Sequence, residues 1–334
     1  MGRVSTFADA EVIRMAKEEF IPVAGDDWYQ RRKEDTEGEF FRKVADQGPR
    51  KGEGGSTRQG VYVFTADGKL LGYRNHHDAD VMRGVLKQAL ADFKKLPEAQ
   101  RAPGAIKVED QAKVDKNYDR KPPKGGLIVN VYTRILDPDP ASKGDYCQGT
   151  CDMTGGDRAA HDHLWLTEED WKALVPLNPK KGETSSMPPK LAMRLLRFHM
   201  LDNTRGEPPS WGIKEVRSHS LKLTVTTVTA KEIVLKLDGA ALLTTDADPA
   251  KAKRGYDVSI LATIRYDVDK KTITAFDGVA LGLHWGVGPY TGGARPGRTA
   301  LGIAFALAQG DAPADRVPPQ GSRYLRGYLE ANRD

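Results

Sequence analysis

The sequence predicts an α+β protein built as two domains with a Pro-rich linker between them. Three observations carry that prediction. At 334 residues the chain is about twice the usual domain length. Up to about residue 96, helical periodicity surrounds one strand–turn–strand pattern, whereas from Glu215 onward period-two alternation recurs in one segment after another. Between them, residues 97–126 carry Pro97, Pro103, Pro122 and Pro123 among alternating charges and show no apolar periodicity.

In chain order, residues 6–20 predict a helix: Val12, Met15 and Ala16 share one face, and Asp9 stands where an N-cap is needed. Phe20-Ile21-Pro22-Val23-Ala24 predicts a short apolar strand stopped by Gly25-Asp26-Asp27. Residues 28–47 are charged, with Trp28, Tyr29, Phe40 and Phe41 at roughly helical spacing, expected to pack in the core or between domains. A Gly-rich basic loop, 47–60, leads into the strand 60–65. The Asp67-Gly68 turn and the partner strand 70–73 complete a hairpin. Residues 78–95 follow as an amphipathic helix through Val81, Val85, Leu86, Ala89, Leu90 and Phe93, with Asp78 as its cap.

Two of these segments resemble a known family. Asp9-Ala10-Glu11-Val12 leading to Phe20-Ile21-Pro22-Val23, and the run from Val61 through Asp67-Gly68 to Leu71 with its closing helix, make residues 6 to about 96 similar to a thioredoxin-like domain. The resemblance implies an α/β fold for this part. It also implies a Cys-x-x-Cys upstream and a cis-proline just before the hairpin. Neither is present: no cysteine precedes Cys147, and Arg58-Gln59-Gly60 occupies the proline position. The resemblance therefore implies a scaffold without disulfide-exchange chemistry.

The second domain, 127–310, begins with the alternating strand 127–136. A long loop, 137–160, separates it from the short strand 163–166. Thr167-Glu168-Glu169-Asp170 then reads as a capping box opening a helix through Trp171 and Leu174. Residues 189–201 predict a stronger helix, burying Leu191, Leu195, Leu196 and Phe198. Alternation follows in Leu221/Leu223/Val225, Ile233/Leu235/Leu237, Val258/Ile260/Ala262/Ile264, 279–285 and 301–307. This pattern predicts a mainly antiparallel sheet or partly closed barrel with two helices packed on it. Residues 311–334 are expected to form a peripheral tail or terminal helix.

Two groups of residues could carry chemistry. Cys147, Cys151, His161 and His163 could ligate Zn²⁺ or copper, because two thiolates and two imidazoles make a tetrahedral, soft donor set. Period two puts both histidines on one face of a strand. A disulfide or two inert thiols beside solvated histidines is the competing reading. The second group is His284 and Trp285 followed by the Gly-rich segment with Tyr290, Arg295 and Arg298. There, close backbone approach and two guanidiniums suit a carboxylate or phosphate. The competing reading is a long strand-to-strand turn. His76-His77-Asp78 reads as a helix cap, and His199 and His219 as structural residues.

Composition narrows the function. The excess of 51 Lys and Arg over 46 Asp and Glu is dispersed, with no basic stripe to argue for nucleic acid. No apolar run approaches the roughly 20 residues of a spanning helix, so no membrane partner is expected. Two cysteines do not make a disulfide scaffold, and no nucleotide, serine-hydrolase or zincin motif is present. The N-terminus has no apolar leader, which predicts a cytoplasmic protein; a processed secreted or periplasmic one is the alternative. The expected function is a non-redox binding or accessory protein with a small-molecule or anion site in the second domain. The alternative class is a metal-dependent or thiol enzyme on the Cys/His set, and a third is an interaction module using the 47–60 loop.

Overall fold

The computed structural model describes residues 4–52, 57–101, 114–136, 159–309 and 312–332. The chain divides into two compact units, Gly2–Arg120 and Lys121–Asp334. The division falls inside the segment expected to be a linker. Its last part is tied to the first unit: Asp115 N donates to Asp35 Oδ2 at 3.0 Å, Glu34 N donates to Asp115 Oδ2 at 2.9 Å, and Tyr118 packs edge-on against Trp28.

The first unit contains α1 (Val4–Ala8), α2 (Ala10–Glu19), α3 (Asp27–Gln30), α4 (Thr36–Ala45), β1 (Val61–Phe64), β2 (Leu70–Arg74), α5 (Ala79–Lys94) and α6 (Glu98–Arg101). Aspartates start four of these helices. Asp9, Asp26, Asp35 and Asp78 accept from the backbone N–H of Val12, Trp28, Gly38 and Val81 at 2.8–3.0 Å, satisfying donors the helix itself leaves open. β1 and β2 pair antiparallel, with Gly68 at φ +85° in the turn. The core is small: Val12, Met15, Val63, Met82, Leu86 and Ala89. Trp28 packs edge-on against Tyr29, Phe40 against Phe64 and Phe41 against Tyr62.

One expected element does not form. Residues 20–23 are extended but pair with no strand, and Ile21 is 92% and Val23 82% exposed. The run alternates Phe20, Ile21 and Val23 around Pro22, which has no N–H to give a ladder. Among the described residues the unit's sheet has two strands.

Among the described residues, the second unit is built on one open antiparallel sheet of eight strands. In chain order these are β3 (Leu127–Ile135), β4 (Ala160–Leu166), β5 (Thr184–Ser186), β6 (Val216–Val228), β7 (Glu232–Thr244), β8 (Arg254–Asp267), β9 (Thr272–Gly286) and β10 (Thr299–Leu307). The spatial order is β4-β3-β10-β9-β8-β7-β6-β5, so of the two expected arrangements the antiparallel sheet forms and the barrel does not close. β10 enters between β9 and β3 and carries the meander β6–β9 onto the β3–β4 hairpin. One face packs the main core of Val129, Val131, Leu221, Leu223, Leu235, Leu237, Val258, Ile260, Ile264, Phe276, Ile303 and Phe305. α7 (Glu168–Lys172) and α8 (Pro189–His199) add Trp171, Leu191, Leu195 and Leu196 to it. The capping box at Thr167 and Asp170 forms as expected.

Of the two readings of the C-terminal residues, the terminal helix forms, and it is packed where a peripheral tail would be exposed. α9 (Leu325–Glu330) buries Tyr328 completely against Trp165 and Phe198. Two buried arginines of α8 take its terminal carbonyls: Arg194 donates to Tyr328 O and Leu329 O, and Arg197 to Ala331 O at 2.8 Å. Cations at a helix C-terminus meet both the open carbonyls and the negative end of the helix dipole. Arg194 is also ion-paired with Asp170, and both side chains are nearly solvent-free.

Candidate functional site

α8 ends at His199, and the chain turns through Met200–Arg205, every residue of it buried. Asp202 organises this turn. Its Oδ1 accepts from Thr204 N at 3.1 Å and Thr204 Oγ1 at 2.6 Å, and its Oδ2 from Arg205 Nε at 2.5 Å. The other guanidinium nitrogens of Arg205 reach the loop after β9, donating to Gly286 O at 2.9 Å, Thr291 O at 3.1 Å and Gly292 O at 3.3 Å. One arginine thus ties the post-α8 turn to the Gly-rich loop. The glycines there are required by conformation and space. Gly286 sits at φ +82°, where a Cβ would lie 1.8 Å from Lys253 O. Gly255, opposite Trp285 on β8, leaves room for the indole ring, whose nearest atom a Cβ would approach to 2.1 Å.

β9 delivers His284 to this place, beside Thr299 on β10 and Tyr256 on β8. Ile135, Asp202, Arg205, His284, Trp285, Gly286, Ala294, Arg295, Thr299, Ala300 and Leu301 surround a cavity of about 20 Å³. On that measure one water needs roughly 10–15 Å³, so the cavity admits a water or two, or an oxyanion head group. It is far below the several hundred Å³ of a nucleotide-sized pocket.

His284 is 6% exposed. Burial pushes its pKa down to about 4, against the opposing pull of the Asp202 carboxylate, so the imidazole is neutral at pH 7. Burial works to raise Asp202, but Arg205, His284 and the Thr204 hydroxyl together hold it below the ordinary carboxylate value. The lining holds two guanidiniums, Arg205 and Arg295, and one carboxylate, Asp202, so with a neutral imidazole it is net positive. Tyr256, whose hydroxyl donates to Leu301 O at 2.8 Å, is raised by burial and stays protonated.

Of the five ligand residues expected from sequence, His284, Trp285 and Arg295 line this cavity. Arg298 does not; it lies over the Trp285 ring at 4.1 Å and braces the indole from outside. Tyr290 is 77% exposed and outside the lining. Asp202 and Arg205 were not anticipated. The sequence signal for them is slight, a buried acid–base pair three residues apart immediately after a helix.

The Cys/His set is only partly described. Cys147 and Cys151 lie outside the described residues. His161 and His163 share the expected face of β4, their ring centroids 4.5 Å apart. Among the described residues no group of three or more His, Cys, Asp or Glu side chains is arranged to hold a metal ion. Asp78 caps α5 and its N–H donates to His76 Nδ1 at 3.1 Å, as the capping reading requires. His199 is buried, its Nε2 3.0 Å from the Tyr328 hydroxyl, while His219 is exposed on β6. None of the described helices is long and apolar enough to cross a membrane. No family model, curated protein or solved structure matches this chain.

Proposed function

We propose that this chain is a binding or accessory protein whose C-terminal unit takes a small oxyanion, or the carboxylate or phosphate end of a small molecule, beside His284. The observation that carries this reading is the cavity lining: two guanidiniums against one carboxylate in the charge balance, with a neutral imidazole at the end of β9. Arg205 is engaged with Asp202 and three loop carbonyls, so it fixes the wall. Arg295 supplies the second positive charge and His284 a directional hydrogen bond, which together suit an oxygen anion. The cavity volume supports a head group in preference to a whole cofactor. The N-terminal unit is read as a thioredoxin-like scaffold without disulfide-exchange chemistry, a reading supported by Arg58-Gln59-Gly60 at the place of the family's cis-proline.

The test is titration of the full chain with acetate, formate and phosphate, followed by calorimetry and by NMR of the histidine resonances. Saturable binding that R295A weakens at least tenfold, with His284 as the most perturbed imidazole, is expected. Equal binding by wild type and R295A, or perturbation confined to other histidines, overturns the reading.

A further inference from the structure

A second group of polar residues lies away from the cavity, on the β3–β4 hairpin. The register places Tyr132 opposite His161 and Asn130 opposite His163, so all four side chains project from one face of the sheet edge. The Tyr132 ring stacks on His161 with centroids 4.6 Å apart and planes 14° from parallel, which fixes the imidazole plane. His161 Nε2 is 2.8 Å from Asn130 Oδ1. A carboxamide oxygen only accepts, so His161 carries its proton on Nε2 and presents a lone pair at Nδ1. A histidine whose far nitrogen is anchored in this way has the tautomer and orientation of a metal ligand.

His163 supplies the independent observation. It is 3% exposed, and among the described residues neither ring nitrogen has a hydrogen-bond partner. A buried imidazole with both nitrogens unanswered is uncommon, and it calls for an occupant that a nitrogen lone pair can bind. The Asp162 and Asp315 carboxylates act on both histidines, a field that favours a cation, and His199 on α8 is a further imidazole acting on His163.

We propose that His161 and His163 form a site for a borderline divalent transition-metal cation, with His161 Nδ1 and one His163 nitrogen as its protein ligands. Two imidazoles select among first-row ions by the usual order of stability, so Cu²⁺ binds ahead of Zn²⁺ and Mg²⁺ is excluded. Asn130 acts as a positioning residue through the His161 tautomer.

The experiment uses the full chain without a histidine tag, stripped with chelator and titrated with Cu²⁺, Zn²⁺ or Mg²⁺ alone. One equivalent of Cu²⁺ with nitrogen hyperfine splitting in its EPR spectrum is expected, along with weaker Zn²⁺ and no Mg²⁺ binding. H161A and H163A should each lower Cu²⁺ affinity at least tenfold, N130A several-fold, and H219A not at all. H161A, on an exposed position, keeps the test valid should H163A fold poorly, and metal-free circular dichroism checks both. The variant C147S/C151S should retain the nitrogen-ligated equivalent. Absence of stoichiometric Cu²⁺, unchanged affinity in H161A and H163A, or complete loss in C147S/C151S with both imidazoles intact would overturn the proposal.

Discussion

His284 and His163 occupy similar positions and have opposite surroundings. Each lies on a strand of the same sheet, is less than a tenth exposed, and has its pKa lowered chiefly by burial. His284 faces a finished network in which Asp202 is answered by Thr204 and Arg205, and Arg205 by three carbonyls. Among the described residues His163 has no hydrogen-bond partner at either nitrogen. The same sheet thus carries one site whose wall is already built by its own hydrogen bonds and one histidine whose nitrogens are unanswered among the described residues. Burial alone does not tell the two apart; the count of answered polar atoms does.

The largest effect expected from this contrast is at Arg205. R205A leaves the Asp202 carboxylate buried beside an imidazole and orphans the carbonyls of Gly286, Thr291 and Gly292. Breaking a buried ion pair from one side costs about 3–5 kcal/mol, and urea denaturation should show a loss in that range. A loss under about 1 kcal/mol would mean that the network is not structural, and the contrast with His163 would fail. R194A should behave similarly, since it strands Asp170 and the carbonyls that end α9.

A smaller effect should appear with pH. The folded pKa of His284 lies below its unfolded value of about 6.5. The unfolded chain therefore binds more protons between pH 6.5 and about 4, and stability falls as pH drops through that window. His161 and His163 shift in the same direction and contribute with the same sign. Thermal melts from pH 7 to 4.5 should show Tm falling by roughly 5 °C or more, and H284Q should flatten that dependence. A Tm that rises on acidification would contradict the burial of His163 and His284.

Much of the fold was legible because the sheet has one buried face. Alternation in β6 to β10 follows from that geometry, and local signals such as Asp9, Asp78, Asp67-Gly68 and the Thr167 box need only a few neighbouring residues. What was missed depends on distant partners. The segment 20–23 is apolar, yet a strand needs a neighbour, and Ile21 and Val23 find none. The C-terminal residues resemble a loose tail until Arg194 and Arg197, more than 130 residues earlier, claim their carbonyls. Asp202 and Arg205 were hidden for the same reason. In a chain with 29% charged residues an acid–base pair three apart is ordinary, and only the fold brings it to His284. His284, Trp285 and Arg295 could be picked out because the glycines around them mark an unusual loop.

The smallest expected effect is also the sharpest discriminator between the two histidines. H163L removes two unanswered nitrogens from a buried position and replaces them with an apolar side chain of similar bulk. Deleting an unpaired buried polar group is close to neutral or mildly stabilising, because no partner is left behind. Metal-free H163L should therefore match or exceed wild type within about 1 kcal/mol. H284L, which takes an imidazole away from the Asp202 carboxylate, should be the less stable of the two. With Cu²⁺ added the order at His163 should invert: a ligand that binds only the folded state raises its stability, so wild type gains Tm and H163L does not. A destabilised metal-free H163L would place a partner on that imidazole after all, and His163 would then belong with Arg205 and Asp202 among the residues that hold the fold.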